Sequence, residues 1–306
     1  MKQLSEIGED ALIEQLIKDL DQGDDVLVGP GDDCAVVDLG AVSGLGAGAD
    51  VYQLLKTDAI VEGVHYLPDT PAAEVGWKAV ARVLSDFAAM GGCPGNLLVT
   101  IALAPDQEVC YVQELYRGLK KCADLYGAVI CGGETSSVPH GSAAVISVAG
   151  TGWVKKNQLV RRSGGQVGDL VLVTGKLGGS IQGKHLSFTP RLEEAKWMTE
   201  NFAIRSMMDL SDGLARDLPR LAKASGCDFV IDEASLPCNQ GCDAAQAMND
   251  GEDYELLLTV SPQVVSRLLE SWSAQFSALP LTVVGELIEG QVRGAQGGWE
   301  HFTETS

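Results

Sequence analysis

The chain has 306 residues, of which 45% are hydrophobic, and this length favours two domains that each bury a core. Acidic residues outnumber basic ones by 42 to 22, giving a formal charge of −20. That charge argues against nucleic acid, whose binding needs Lys and Arg to neutralise phosphates. The sequence has no apolar run of about 18 residues for a membrane span, and its acidic start lacks the apolar core of a signal peptide. We therefore expect a cytoplasmic protein with no membrane partner.

The eight cysteines form no C-x-x-C pair. Cys238 and Cys242 have neither a second pair nor nearby histidines, so we expect reduced thiols and no zinc site. A protein this acidic can handle phosphates only with cations as intermediaries, because like charges repel.

Helical and extended patterns alternate along the whole chain. In the first half, helices are predicted at 6–20, 74–90 and 107–126, strands within 26–39, 52–66, 96–103, 128–133 and 142–154, and a glycine-rich loop at 41–49. In the second half, strands are predicted at 169–175, 204–210, 228–233, 254–260 and 281–287, and helices at 191–202, 214–225, 240–248 and 262–273. A polar, glycine-bearing segment at 153–166 separates the halves. We predict an α/β fold with two domains, 1–153 and 154–306, and leave strand order open.

The helix predicted at 74–90 carries an acid at the edge of its apolar face. At about 100° per residue, Asp86 lies close to Ala79 and Met90, so its carboxylate is buried or points into a cleft. The same projection predicts three side chains that face water: Lys78, Arg82 and Ser85.

Residues 207–214, MMDLSDGL, place two carboxylates and a hydroxyl where a strand passes into a helix. Asp209 ends the apolar strand, Ser211 and Asp212 follow, and Gly213 lets the chain turn. Ligands collect at such junctions in α/β proteins, and the first N–H groups of a helix attract anions. Alternatively, Ser211 or Asp212 only caps the helix.

Similar acidic edges recur along the chain, each beside Gly, Ser, Thr or another acid. Brought together without metal, these carboxylates would repel, and several would have to stay protonated. Mg²⁺ removes that cost and binds phosphates as well. The pattern predicts a site where several Mg²⁺ ions bridge a nucleotide and a second phosphate, held by Asp33, Asp58, Asp86, Glu134, Asp209 and Asp212.

Two other motifs are weaker indications of chemistry. GGSIQGKH, at 178–185, follows a strand and fits a P-loop except at its end, where His185 replaces the hydroxyl that binds Mg²⁺. A glycine turn with a surface Lys184 is therefore favoured. His65 and His185 are candidate bases, but no G-x-S-x-G nucleophile elbow accompanies them.

Eight motifs, in chain order, carry a family resemblance: GPGDDCAVV, KTDAIVEGVHY, VLSDFAAMGG, CGGET, RRSGGQVGD, MMDLSDGL, GEDYELL and GGWEHF. Together they resemble the thiamine-monophosphate kinase family, within the superfamily of the aminoimidazole ribonucleotide and selenophosphate synthetases. EGVH, GEDYEL and the late aromatic-x-HF favour the kinase. Selenophosphate synthetases carry a reactive N-terminal Cys or selenocysteine, whereas this chain has no Cys before Cys34.

The resemblance implies the two-domain superfamily fold, with an N-terminal domain that forms a homodimer and ATP near the subunit junction. It implies ATP- and Mg²⁺-dependent phosphorylation of thiamine monophosphate to the diphosphate by direct in-line transfer. It implies magnesium ligands at Asp33, Thr57, Asp58, Asp86, Glu134, Asp209 and Asp212. Asp209 and Asp212 are implied as catalytic. It implies ATP contacts at Tyr116, Gly133, Arg162 and Ser211, and thiamine phosphate contacts at His65, Glu252 and Trp299.

Two alternatives remain open. One is another superfamily enzyme that forms an acyl or imidate phosphate, and the other is a non-catalytic nucleotide-binding sensor with the same fold. The second is supported by three departures from the family pattern, at Lys56, Glu134 and Asp250, where the family usually has a small hydroxyl residue, Asp and Gly. Asp250 is tolerable if its backbone is left-handed. An ammonium cannot ligate Mg²⁺, so Lys56 either turns to solvent or enters the acid cluster as a cation, and we favour the second.

Overall fold

The computed structural model describes residues 3–18, 20, 22–41, 50–292, 294 and 297–302. The loop predicted at 41–49 lies, apart from Ala41, outside these residues. Within the described part of the chain, no helix is long and apolar enough to cross a bilayer.

The described residues of the first half form a six-stranded sheet with three α-helices. Its strands are β1 (Val26–Val28), β2 (Ala35–Val37), β3 (Val51–Val61), β4 (Cys93–Leu103), β5 (Val129–Ser137) and β6 (Val145–Lys155), and its helices are α1 (Glu9–Ile17), α2 (Ala72–Ala89) and α3 (Val109–Leu125). The strand order is β1-β2-β3-β6-β4-β5, with β4 and β5 parallel and the other pairs antiparallel. Because Gly8 has a left-handed φ of 76°, α1 starts after it and the predicted helix at 6–20 is shorter than expected.

The second half, where the structure describes it, forms a five-stranded antiparallel sheet with five α-helices. Its strands are β7 (Leu170–Thr174), β8 (Ser206–Asp209), β9 (Asp228–Ile231), β10 (Leu256–Val260) and β11 (Leu281–Ile288), in the order β8-β10-β7-β11-β9. Its helices are α4 (Lys184–Ser187), α5 (Leu192–Asn201), α6 (Leu214–Ser225), α7 (Ala244–Asn249) and α8 (Pro262–Gln275). The α/β class is thus confirmed.

Helix α2 is the central element because it packs against α3, β3 and β8 at once. It approaches α3 so closely that a Cβ at Gly76 would overlap the carbonyl of Leu115, and a Cβ at Gly118 would overlap that of Ala73. Glycine is therefore needed at both positions of this helix pair. Most of α2 is buried on all sides.

Two hydrophobic clusters fill the interior. The larger one is continuous from α2 and the first sheet to one face of the second sheet, and it includes Phe87, Leu97 and Leu258. The smaller one lies between the opposite face of the second sheet and α6, where Val173 and Leu218 are buried. Both faces of the second sheet are thus covered, and the shared core holds the end of β8 against α2.

Candidate active site

Three buried carboxylates from distant parts of the sequence meet beside α2. Asp33 lies between β1 and β2, Asp86 lies on α2, and Asp209 ends β8. One carboxylate oxygen of each lies within 4.8 Å of those of the other two. We call these residues the acid triad.

Specific hydrogen bonds hold the acid triad in place. The hydroxyl of Ser85 on α2 donates to Asp209 Oδ2 at 2.6 Å, which fastens α2 to β8. Lys56 Nζ on β3 donates to Asp86 Oδ1 at 2.7 Å, and Arg162 Nη2 donates to Asp33 Oδ1 at 2.6 Å. Three chain segments thus aim their oxygens at one point.

The electrostatics of the acid triad favour a bound cation. Burial, together with the nearby charge of Asp33, raises the pKa of Asp209 to about 6, although the hydrogen bond from Ser85 acts in the opposite direction. Burial also holds the pKa of Asp86 well above its ordinary value, although Lys56 acts in the opposite direction. Asp33 Oδ2 is buried without a hydrogen-bond partner among the described residues. Hard carboxylate oxygens that lack donors fit a divalent cation such as Mg²⁺.

The other predicted magnesium ligands lie apart from the acid triad. Asp58 shares the inner face of β3 with Lys56, and its Oδ2 is 3.4 Å from Arg82 Nε. Thr57 is exposed on the outer face of β3. Glu134 is exposed on β5, three strands from β3 in the sheet order and therefore about 14 Å away. Among the described residues of one chain, Glu134 is not in the group of acids whose oxygens lie within 4.8 Å of one another.

Asp212 pairs with arginine instead of capping α6. The N-cap of α6 is Gly213, and no side chain caps the helix, so the capping alternative for Ser211 and Asp212 is wrong. Arg220 Nη1 donates to Asp212 Oδ2 at 2.5 Å, and Arg216 Nε lies 3.9 Å from the same oxygen. The backbone N–H of Asp212 donates to the Asp217 carboxylate.

The three predicted thiamine phosphate contacts line one small pocket of about 70 Å³. His65, Glu252 and Trp299 come from three distant segments, and the strand-to-helix turn of Ser211 and Asp212 forms another wall. Sequence reasoning did not assign six further lining residues to this pocket: Val64, Arg82, Ile181, Asp250, Tyr254 and His301.

Lys78 holds Glu252 at this pocket. Its Nζ donates to Glu252 Oε2 at 2.7 Å and to the carbonyl of His65 at 2.6 Å, and its side chain is fully buried. Burial lowers the pKa of Lys78 to about 8, against the attraction of Glu252. Glu252 and Tyr254 have left-handed φ angles of 53° and 50°, strain of the kind that concentrates at functional sites.

The predicted solvent exposure of Lys78, Arg82 and Ser85 is therefore wrong. α2 lies between α3 and both sheets, so it has no broad solvent face. The spacing of four residues from Lys78 to Arg82 to Asp86 puts all three on one side of the helix, and it was the signal for a second polar face.

His65 is uncharged in this environment. Burial, with the nearby cations Arg82 and Lys78, lowers its pKa to about 3. Its Nδ1 accepts a hydrogen bond at 3.0 Å from the backbone N–H of Val61. Its ring lies 5.7 Å from that of His301, centroid to centroid.

An open groove of about 570 Å³ lies on the outer face of the first sheet. Leu55, Thr57, Leu98 and Cys131 line it. A Cβ at Gly133, on the neighbouring strand β5, would overlap the Val99 carbonyl, so this glycine also serves the pairing of β4 with β5. Tyr116 lies on α3 and is 36% exposed.

The P-loop-like segment is closed by the chain's own carboxylates. The N–H of Gly178 donates to Asp253, and that of Gly179 donates to Asp250 Oδ2 at 2.7 Å. Lys184 Nζ donates to Glu255. The segment is a glycine turn, as favoured, but Lys184 is anchored to a buried acid.

The structure accommodates the departures at Lys56 and Asp250. Lys56 enters the acid cluster, as favoured, and does not turn to solvent. Asp250 has a φ of −67°, so its backbone is right-handed, the condition of a left-handed backbone does not apply, and no strain arises there.

Comparisons with known proteins agree along nearly the whole chain. The family described as "AIR synthase related protein, N-terminal domain" matches residues 31–154, and its C-terminal counterpart matches residues 166–297. The thiamine-monophosphate kinase of Rhodopirellula baltica is 34% identical over 90% of this chain and 86% of its own length. That of Aquifex aeolicus is 32% identical over 98% of this chain and 99% of its own.

Solved structures give the same result. One described as "AaThiL complexed with AMPPCP and TMP" has a TM-score of 0.83 at 30% identity and covers 98% of this chain and 99% of that chain. The thiamine-monophosphate kinase from Stenotrophomonas maltophilia has a TM-score of 0.72 at 27% identity, with 95% and 96% covered. The resemblance found in the sequence is thereby confirmed, and the chain belongs to the thiamine-monophosphate kinase family, built from two AIR synthase related domains.

Proposed function

We propose that this protein transfers the γ-phosphoryl group of ATP directly to thiamine monophosphate, in a Mg²⁺-dependent reaction that yields thiamine diphosphate. The observation that carries the proposal is the proximity of two features. The acid triad lies beside α2, and Arg82, one turn before Asp86 on that helix, lines the pocket of His65, Glu252 and Trp299.

In this proposal the chain's residues mainly balance charge and align the reactants. Donor and acceptor are both phosphates, so their approach must be offset by cations. Asp33, Asp86 and Asp209 would hold Mg²⁺, which supplies positive charge to the phosphates when bound. The acceptor phosphate oxygen is already ionised near neutral pH, so no general base is required.

The small pocket suits the thiamine end of the acceptor. Trp299 offers an aromatic face to the cationic thiazolium ring, and Glu252 offers a carboxylate that Lys78 holds in place. Neutral His65 adds no positive charge that would repel the thiazolium. Asp209 and Asp212 remain our candidates for catalytic residues, and Thr57 and Asp58 for further magnesium ligands.

ATP is placed by this proposal at Tyr116, Gly133, Arg162 and Ser211, close to a subunit junction. The outer face of the first sheet exposes Leu55, Leu98 and Trp153, and we propose that a second copy of the chain covers it. A homodimer would let Glu134 of one copy approach the other's phosphates. Residues 1–153 would form this ATP-binding and dimerisation domain and residues 154–306 the second domain, in a cytoplasmic enzyme.

The decisive experiment is direct. Purified protein is incubated with ATP, Mg²⁺ and thiamine monophosphate, and thiamine diphosphate is measured by chromatography. We expect the diphosphate to form from the monophosphate, and thiamine itself to remain unchanged because it lacks the phosphate acceptor. ATP turnover only with a carboxylate or amide acceptor would support an acyl or imidate phosphate enzyme. Binding of both ligands without product would support the sensor.

A further inference from the structure

Lys56 gives the acid triad a cation of its own. It lies on the inner face of β3, between Leu54 and Asp58, where that strand packs under α2. Its Nζ is 2.7 Å from Asp86 Oδ1, and its side chain is only 21% exposed. The ammonium is thus largely shielded from water and directed at a carboxylate of the triad.

The three carboxylates of the triad differ in their partners. Asp33 receives the guanidinium of Arg162, Asp209 receives the neutral hydroxyl of Ser85, and Asp86 receives the ammonium of Lys56. Positive charge therefore already lies beside Asp33 and beside Asp86, whereas the partner of Asp209 is neutral. The Asp33 and Asp209 side keeps an unpartnered buried oxygen, Asp33 Oδ2, and a carboxylate with no cation in hydrogen-bonding contact among the described residues.

We propose that Lys56 is a built-in cation that takes the place of one divalent ion beside Asp86. The protein then binds ATP with one divalent ion fewer than it would with an uncharged residue at position 56. This inference rests on the proposed function only in taking ATP as the phosphate ligand.

The hydrogen-bonding properties of Lys56 support its role as a substitute for a divalent ion beside Asp86. An ammonium has three donors and no acceptor, so Lys56 cannot be a metal ligand. The lone pair of Asp86 Oδ1 that accepts the hydrogen bond from Lys56 is not available to a metal ion. The compact charge of lysine can still contact a phosphate oxygen, as lysine does in many phosphate sites. The remaining divalent ions would then bind on the side of Asp33 and Asp209.

The test counts metal ions without measuring turnover. Metal-free protein is titrated with Mn²⁺ in the presence of a non-hydrolysable ATP analogue and without thiamine monophosphate, and free Mn²⁺ is followed by electron paramagnetic resonance. We expect Lys56→Ser and Lys56→Gln each to bind one more Mn²⁺ per chain than the wild type. Both variants should also show a larger rise in melting temperature on addition of Mg²⁺, because their metal-free form leaves Asp86 without its cation.

Two control variants test whether the ion count depends on the positive charge at position 56 or changes with any lysine substitution. Lys56→Arg keeps a cation and should keep the wild-type ion count. Lys156→Ser removes another lysine–aspartate pair, with Asp38 at 3.0 Å just beyond the ends of β6 and β2, and should also leave the count unchanged.

Wild-type ion counts in both neutral variants would overturn the inference. Lys56→Gln retains a donor for Asp86, so it supplies the answer if Lys56→Ser does not fold. The outcome is independent of the proposed function. An extra ion in the variants of an enzyme that makes no thiamine diphosphate would overturn the kinase reaction alone, and unchanged counts in an active enzyme would overturn the role of Lys56 alone.

Discussion

Asp209 at the end of β8 and Glu255 just before β10 are buried carboxylates, yet their surroundings differ. Asp209 is paired with Leu256 across β8 and β10, and Glu255 is the residue that precedes Leu256 in the chain. Both side chains are buried. Arg191 donates to both oxygens of Glu255 at 2.7 Å, and Lys184 and Thr174 add further donors. Asp209 receives the hydroxyl of Ser85.

The difference shows how to separate structural acids from functional ones in this fold. Glu255 is given the cations and donors that a buried carboxylate needs, so its charge is satisfied before any ligand binds. The acid triad keeps unbalanced charge and an oxygen without a partner, an arrangement that costs stability unless a ligand completes it. Charge left uncompensated inside the protein therefore marks the site.

Asp209→Asn should have the largest effect, and the effect should be on turnover. The amide keeps the shape and can accept from Ser85, but it removes a charge that the proposed metal site requires. We expect at least a ~100-fold loss of thiamine diphosphate formation. The melting temperature of the metal-free protein should be unchanged or raised. A proportionate loss of stability and activity would instead assign Asp209 a structural role.

Breaking the ion pair of Arg191 with Glu255 should have the opposite effect, a loss of stability with little loss of turnover. Arg191→Met leaves buried Glu255 with an incomplete set of donors, and breaking such a pair costs about 3–5 kcal/mol. Urea unfolding should show that loss, while turnover by the folded fraction stays within a few-fold of the wild type. Adding Glu255→Met should restore much of the stability, because an apolar pair needs no neutralisation. Failure of the double variant to recover would contradict the view of this cluster as a closed ion pair.

The sequence predicted the local features of this comparison and missed the long-range ones. Periodicity located the strands and helices, because each element's pattern is contained within its own residues. The recurrence of acids beside Gly, Ser or another acid predicted Asp33, Asp86 and Asp209 as neighbours, and the structure brings them together from a loop of the first sheet, from α2 and from the end of β8. Strand order was not predicted, because pairing joins segments far apart in sequence.

Errors on α2 have the same origin. A helical projection assumes one apolar and one wet face, whereas α2 contacts other elements on most sides. Lys78 meets Glu252 from 174 residues away, and Ser85 meets Asp209 from 124 residues away. A single-helix pattern contains no information about such partners.

The metal-free protein should be more stable to unfolding at acidic pH, because the acid triad binds protons more readily when folded. The pKa of Asp209 rises from 3.8 to about 6, so the folded state binds more protons than the unfolded state between these values. The free energy of unfolding should then fall as pH rises through this window, by about 3 kcal/mol at most from this group. Urea titrations in chelator from pH 4 to 7.5 measure the slope. Asp209→Asn should flatten it, and an equal slope in that variant would assign the effect to other groups.

The smallest effect is expected at Asp10, a carboxylate that remains about half exposed to water. Asp10 of α1 is about half exposed, and its two oxygens accept from Arg216 Nη2 at 3.0 Å and Arg220 Nη2 at 2.9 Å. Arg220 also contacts Asp212, and Arg216 contacts Glu300, next to Trp299. Exposure limits the stability of such pairs, so Asp10→Asn should change the free energy of unfolding by less than about 1 kcal/mol.

Its measurable consequence should lie in substrate affinity. At about 70 Å³ the pocket is smaller than the ~300 Å³ typical of ligand sites, so its walls must move when thiamine monophosphate enters and then close again. Without the Asp10 carboxylate, Arg216 and Arg220 are less ordered, so closing the pocket around the substrate costs more conformational entropy. KM for thiamine monophosphate should therefore rise about threefold in Asp10→Asn. Both kcat and KM for ATP should be unchanged. Lys223→Ala is the matched control, because its exposed pair with Glu14 also joins α6 to α1. Equal KM shifts in both variants would mean that docking of α1 in general, and not the arginines beside Asp212, determines affinity.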